Sequence, residues 1–184
     1  MFDRARALEL LKTSGTDAAL MQHALFTEAI MRALATRFGK NAEDWGVCGL
    51  LHDVDFPQTK NSPEQHGLKA RDMLHGMEEE YIYAISAHNS EHTGFLPKSD
   101  LDFALRCAES VTGLIHAAAL VRPDGMQGMQ AKSIKKKMKD KAFAASVNRE
   151  VIRQCADLDL ELDEFLTLAI AALTPIATEL GCAK

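Results

Sequence analysis

Apolar residues along the chain recur at the three- and four-residue spacing of helices, and no stretch alternates as a strand would. After Thr16 the apolar stripe runs through Leu20, His23, Thr27, Ile30 and Leu34. The next predicted helix starts at about Asn41, and its run from Trp45 to His52 is apolar on nearly every face, which predicts a central buried helix. The pattern therefore predicts an all-α bundle.

Helix start and stop signals divide the remainder of the chain. Ser62-Pro63-Glu64-Gln65 is a strong start signal for a further helix that ends near Gly76. Another helix is predicted over residues 78–88, and Ser99 caps a long helix that reaches Val121. A turn-rich loop follows over residues 123–128, then a lysine-rich segment and two helices between residues 143 and 180. We predict a helical domain over residues 1–122 and a helical extension, residues 123–184, packed on it.

Composition indicates a soluble globular protein, with 47% hydrophobic and 26% charged residues. The net charge of −5 argues against general nucleic-acid binding but leaves room for a small anionic substrate. The charged N-terminus and the lack of a spanning apolar run predict a cytoplasmic protein with no membrane partner. Four scattered cysteines also fit a reducing compartment: Cys48, Cys107, Cys155 and Cys182.

Candidate chemistry centres on His52-Asp53, at the end of the predicted buried helix. A carboxylate there opposes the helix dipole, and a metal ion would remove that conflict. His23 lies on the apolar stripe of the preceding helix, where the alternative is a hydrogen-bonded core histidine. Imidazole and carboxylate together suit a divalent Mn, Fe, Ni, Co or Zn ion, which activates water for hydrolysis.

His23, the run Gly49-Leu50-Leu51-His52-Asp53 and the segment from Ala108 to Gly113 together resemble the HD superfamily of metal-dependent phosphohydrolases. The resemblance extends from Leu20 to Val121. It implies a helical HD domain in which His23, His52, Asp53 and Glu109 hold one catalytic metal. Glu109 stands where the family has Asp, so it either shifts the metal or binds it through a water molecule.

Two further histidines match the dinuclear branches of that family. His66 precedes Gly67, and His88 ends the run Ala84-Ile85-Ser86-Ala87, as do the histidines that hold a second metal there. Asp53 and Asp55 are the catalytic candidates, because either carboxylate could orient the attacking water. Asp55 has two alternatives, a turn-forming loop carboxylate or a group that orients a metal ligand.

The sequence identifies the residues that would bind the substrate phosphate less clearly than the metal ligands. Six lysines fall within residues 132–141, and the usual fate of such a run is a solvated helix face. If that segment folds over the metal site, Lys132 could bind substrate phosphate. Lys69, Arg71 and Lys98 are candidates because they lie near the matched histidines in the sequence.

The resemblance implies a phosphohydrolase that acts on a phosphomonoester or nucleotide through metal-activated water. Two alternatives stay open: a dinuclear-iron oxygenase, and a nucleotide-binding regulatory module without catalysis. No P-loop, dinucleotide-binding glycine motif or G-x-S-x-G motif occurs in the chain, so those enzyme classes have no support.

Overall fold

The computed structural model describes residues 2–177 and residue 181, and this part of the chain is helical without any strand. The prediction of an all-α fold is confirmed. Leu180, where the last predicted helix ends, and Cys182 lie outside the described residues. No described helix has the length and apolar character needed to cross a bilayer. The helices are α1 Arg4–Thr13, α2 Ala18–Arg37, α3 Ala42–Leu51, α4 Phe56–Thr59, α5 Ala70–Met73, α6 Glu79–His88, α7 Ser90–Thr93, α8 Asp100–Leu120, α9 Ala131–Lys139, α10 Arg149–Arg153 and α11 Leu162–Leu173.

Side-chain caps begin the two longest described helices, α2 and α8. Asp17 accepts a hydrogen bond from the Leu20 N–H at the start of α2. Ser99 and Asp102 form a capping box at the start of α8, which fixes the entry of the longest helix. These caps satisfy backbone donors that the first helical turn leaves free.

The predicted continuous helix over residues 62–76 is wrong. A short 3₁₀ turn, Pro63–Gln65, is followed by an extended His66 and by Gly67 with a φ of +88°. Ser62 makes no capping hydrogen bond. The N–H groups of Gly67 and Ala70 donate instead to the buried carboxylate of Asp55, at 2.8 and 3.0 Å. This tertiary contact overrides the local helix signal and turns His66 inward.

The core lies where α2, α3 and α8 meet, and α6 packs on α8. Gly49 of α3 permits the closest approach, since a Cβ there would lie 3.1 Å from the Thr27 carbonyl oxygen and 2.8 Å from Met31 Cγ. Buried Leu34 and Leu105 fill the space between these helices. The close packing sets α3 directly against the middle of α2.

The C-terminal helices pack on the same bundle. α11 contacts α2 and α9, while α10 and the 3₁₀ turn that follows it contact α8. Exposed ion pairs join Lys135 to Asp163 and Arg37 to Glu164, at 2.7 and 3.0 Å. Because α10 contacts α8, the start of α10 lies beside α8, on the side where the candidate site is found.

Candidate metal centre

Four histidines and one aspartate converge from three long helices and one turn. His23 comes from the N-terminal half of α2, His52 and Asp53 follow α3, His66 follows the 3₁₀ turn, and His88 ends α6. Asp53 Oδ2 lies 3.3 Å from His52 Nε2 and 3.7 Å from His23 Nε2. Asp53 Oδ1 lies 3.1 Å from His66 Nε2 and 3.5 Å from His88 Nε2. The carboxylate therefore faces a pair of histidines with each oxygen.

Two groups of three potential ligands result, and Asp53 belongs to both. The Nε2 atoms of His23 and His52 are 3.1 Å apart, and those of His66 and His88 are also 3.1 Å apart. Two nitrogens at this separation can both lie about 2.1 Å from one ion, the usual metal–imidazole distance. The residues present therefore fit one divalent ion in each group.

The orientation of the ring supports metal binding at two of these histidines. His52 Nδ1 donates to the Gly49 carbonyl oxygen at 2.7 Å, and His88 Nδ1 donates to the Ile85 carbonyl oxygen at 2.5 Å. A carbonyl accepts only, so the ring proton of a neutral histidine lies on Nδ1 in both cases. The Nε2 lone pair is then free for a metal.

The other two histidines use side-chain acceptors. His66 Nδ1 lies 2.9 Å from Asp55 Oδ1 and donates to it. His23 Nδ1 lies 2.9 Å from Thr112 Oγ1, and the Thr112 hydroxyl donates to the Glu109 carbonyl oxygen at 2.6 Å. Thr112 Oγ1 must therefore accept from His23. All four Nε2 atoms face the Asp53 carboxylate, and in a metal-bound form each would direct its lone pair to an ion.

Burial and neighbouring charges shift the pKa values of these groups in different directions. Burial, with a contribution from neighbouring His52, lowers the pKa of His23 to about 4. Burial also lowers the pKa of His66, but hydrogen bonds to Asp53 and Asp55 outweigh it and raise that pKa to about 9. Burial would raise the pKa of Asp53, yet the surrounding histidines hold it well below its usual range. A proton between His66 and Asp53 thus occupies the place a cation would take.

Glu109, the predicted fourth ligand, belongs to neither group. Its carboxylate accepts a hydrogen bond from the Ser110 hydroxyl at 2.7 Å. It lines a cavity of about 280 Å³ together with Asp53, His66 and His88. Burial raises the pKa of Glu109 to about 7, against the opposing effect of the Ser110 hydrogen bond. Direct ligation by Glu109 stays a prediction.

The same cavity has walls that the sequence did not indicate. Asn148 and Val151, at the start of α10, line it opposite the histidines. Glu91 of α7 also lines it, and its carboxylate pairs with buried Arg106 at 2.6 Å. Arg106 donates as well to the carbonyl oxygen of His88 at 2.8 Å, which holds the end of α6 in place. A capping pattern is the sole sequence signal at Asn148, and it does not reveal this placement.

A second cavity, of about 420 Å³, borders the centre at His23. Leu20, Phe56 and Pro57 form apolar walls, and Lys60 is also part of the lining. The Phe56 ring contacts His66 edge-to-face, with ring centroids 5.3 Å apart. The metal centre is therefore bordered by one cavity at Asp53 and another at His23.

The predicted phosphate-binding cations line neither of these two cavities. Arg71 forms an ion pair with Glu79 at 2.7 Å, and the Lys98 ammonium lies 3.5 Å from the centre of the Tyr83 ring. The side chains of Lys69 and Lys132 are exposed. A role of Lys69, Arg71, Lys98 and Lys132 in substrate binding stays a prediction.

A family model described as the HD domain matches residues 20–142, more than half of the chain. The chain belongs to the HD domain family. Searches of curated proteins and of solved structures gave no match. The resemblance read from His23, His52 and Asp53 is confirmed. HD domains bind divalent metals, and most are hydrolases of phosphorylated substrates. The division of this HD protein at residue 122 stays a prediction.

Proposed function

We propose that this HD domain protein is a metal-dependent phosphohydrolase that acts on a phosphomonoester or a nucleotide. The observation that carries the proposal is Asp53, whose two oxygens complete two separate groups of histidine ligands. His23, His52 and Asp53 would hold one divalent ion, and Asp53, His66 and His88 a second. Mn, Fe, Ni, Co and Zn all accept such mixed nitrogen and oxygen ligands.

The bound ions would supply Lewis acidity, which activates water near neutral pH and neutralises phosphate charge. The chain's own residues prepare the site. Asp53 stays ionised, because the histidines around it keep its pKa well below the usual range. Asp55 uses its oxygens for His66, Gly67 and Ala70, so it acts as a positioning residue for His66.

Glu109 has the better position for proton transfer. Its carboxyl lines the 280 Å³ cavity beside Asp53, whereas the Asp55 oxygens are engaged by His66, Gly67 and Ala70. In the metal-free protein, burial raises the pKa of Glu109 to about 7. We therefore assign Glu109, rather than Asp55, to hold or release a proton beside Asp53.

A phosphate-release screen with protein of known metal content tests the function. His52→Ala should lose one bound ion and Asp53→Ala both, and each variant should lose turnover. His75→Ala is the matched control, because His75 is exposed and belongs to neither ligand group. Turnover that persists in metal-free His52→Ala protein would contradict the proposal.

A dinuclear-iron oxygenase is the second candidate, and the carboxylate shared by two ligand groups favours it. Protein loaded anaerobically with iron would then consume O₂ when a substrate is added. Phosphate release by the Mn-loaded protein without any need for O₂ would exclude this candidate in favour of hydrolysis.

A further inference from the structure

The two cavities that border the metal centre differ in charge. The 280 Å³ cavity carries the carboxylates of Asp53, Glu91 and Glu109, and no lysine or arginine is among the described residues that line it. The 420 Å³ cavity at His23 is lined in part by Lys60. Lys60 is therefore the one lysine or arginine among the described residues that line either cavity.

Lys60 is available to bind a ligand. Its backbone N–H donates to the Phe56 carbonyl oxygen at 3.0 Å and ends α4, whereas its side chain is exposed. Within the described part of the chain, no carboxylate forms an ion pair with its ammonium. The carboxylate in the same cavity is Asp17, which already accepts the Leu20 N–H at 2.8 Å as the cap of α2.

His23 is the most exposed of the four proposed histidine ligands. The His23 side chain is 28% exposed, against 1% for His52, 5% for His88 and 13% for His66. A molecule that approaches from solvent can therefore contact His23 most readily. The cavity at His23 is the one that Lys60 lines.

Size and polarity further define what this cavity can accept. A volume of 420 Å³ corresponds to a sphere about 9 Å across, within the usual range for small-molecule sites. Phe56 is 40% exposed, and with Leu20 and Pro57 it gives the cavity an apolar wall. One cation beside a ligand histidine and an apolar wall suits a compact anion with an organic group.

We propose that Lys60 binds the phosphoryl group of the substrate in the cavity at His23, and that the organic part packs on Phe56, Leu20 and Pro57. The substrate class is a small phosphate monoester. The inference rests on the proposed function for the nature of the anion. It assigns the phosphate contact to a residue other than the four cations predicted from the sequence.

Calorimetric titration of Mn-loaded protein with inorganic phosphate, and separately with phenyl phosphate, tests this site. Lys60→Gln removes the charge at nearly constant length, Lys60→Arg keeps it, and Lys40→Gln removes the charge of an exposed lysine that lines neither cavity. We expect phosphate to bind about tenfold more weakly to Lys60→Gln at low salt. Lys60→Arg and Lys40→Gln should bind as the wild type does, and all variants should keep their metal.

Equal affinity of Lys60→Gln and the wild type would overturn the inference. An equal loss in Lys40→Gln would also overturn it, since that would indicate a diffuse surface field. A wild-type protein that binds no phosphate would overturn it as well. Phosphate binding that depends on Lys60, without hydrolysis of any ester, would contradict the proposed function while the anion site remains.

Discussion

Thr112 allows the metal centre to be weakened without altering a proposed ligand. The residue is buried, with 1% exposed, and its Oγ1 accepts from His23 Nδ1 at 2.9 Å. Thr112→Val keeps the shape of the side chain and removes the acceptor. The N–H at Nδ1 of a metal-bound His23 would then have no partner.

The loss of this acceptor destabilises mainly the metal-bound state. A free imidazole can move its proton from Nδ1 to Nε2, whereas a ring bound through Nε2 must keep the proton on Nδ1. An unsatisfied buried N–H costs about 1–3 kcal/mol. At about 1.4 kcal/mol per tenfold change, metal affinity should fall by roughly five- to hundredfold. Losses of about 10–100-fold are typical when the partner of a ligand histidine is removed.

Competition with a chelator of known affinity measures this effect in the wild type, Thr112→Val and Thr112→Ser. Serine keeps the hydroxyl and should bind metal nearly as the wild type does. Equal affinity of Thr112→Val and the wild type would refute the argument, because His23 would then not need Thr112 to direct Nε2 to the ion.

Two other perturbations test the packing and the charge balance of the centre. Gly49→Ala would place a Cβ 3.1 Å from the Thr27 carbonyl oxygen, so thermal unfolding should show that the free energy of unfolding falls by about 1–3 kcal/mol. Metal titration should show weaker binding at His52. Unchanged stability and metal affinity would contradict the close approach. In metal-free protein the raised pKa of His66, about 9, stabilises the fold fully below its unfolded value of about 6.5, and this contribution is lost as pH rises through 9. The free energy of unfolding, measured with denaturant, should therefore fall by up to about 3 kcal/mol across that window in the wild type but not in His66→Gln. The same pH dependence in both proteins would contradict the assignment.

Part of the centre was predictable from the sequence for a physical reason. His23 and His52 lie on surfaces that helical periodicity already marks as buried, so polar side chains there call for a partner. The caps at Asp17 and Ser99 likewise depend on near neighbours in the chain. Local patterns of this kind are fixed by a few consecutive residues.

The remaining features depend on contacts between distant residues. The turn that carries His66 is held by Asp55, which outweighs the helix signal at Ser62. Asn148 reaches the site because α10 packs on α8. Lys60 lines the cavity at His23 whereas Lys69 lines neither cavity, and sequence spacing does not predict this difference.

The number of metal ions bound per chain tests the central claim most directly. We expect protein loaded with Mn and freed of excess metal to hold two ions in the wild type and one in His23→Ala or His88→Ala. Asp53→Ala should hold none firmly, because both ligand groups share its carboxylate. A wild-type protein with one ion, whose content is unchanged in His88→Ala, would contradict the account.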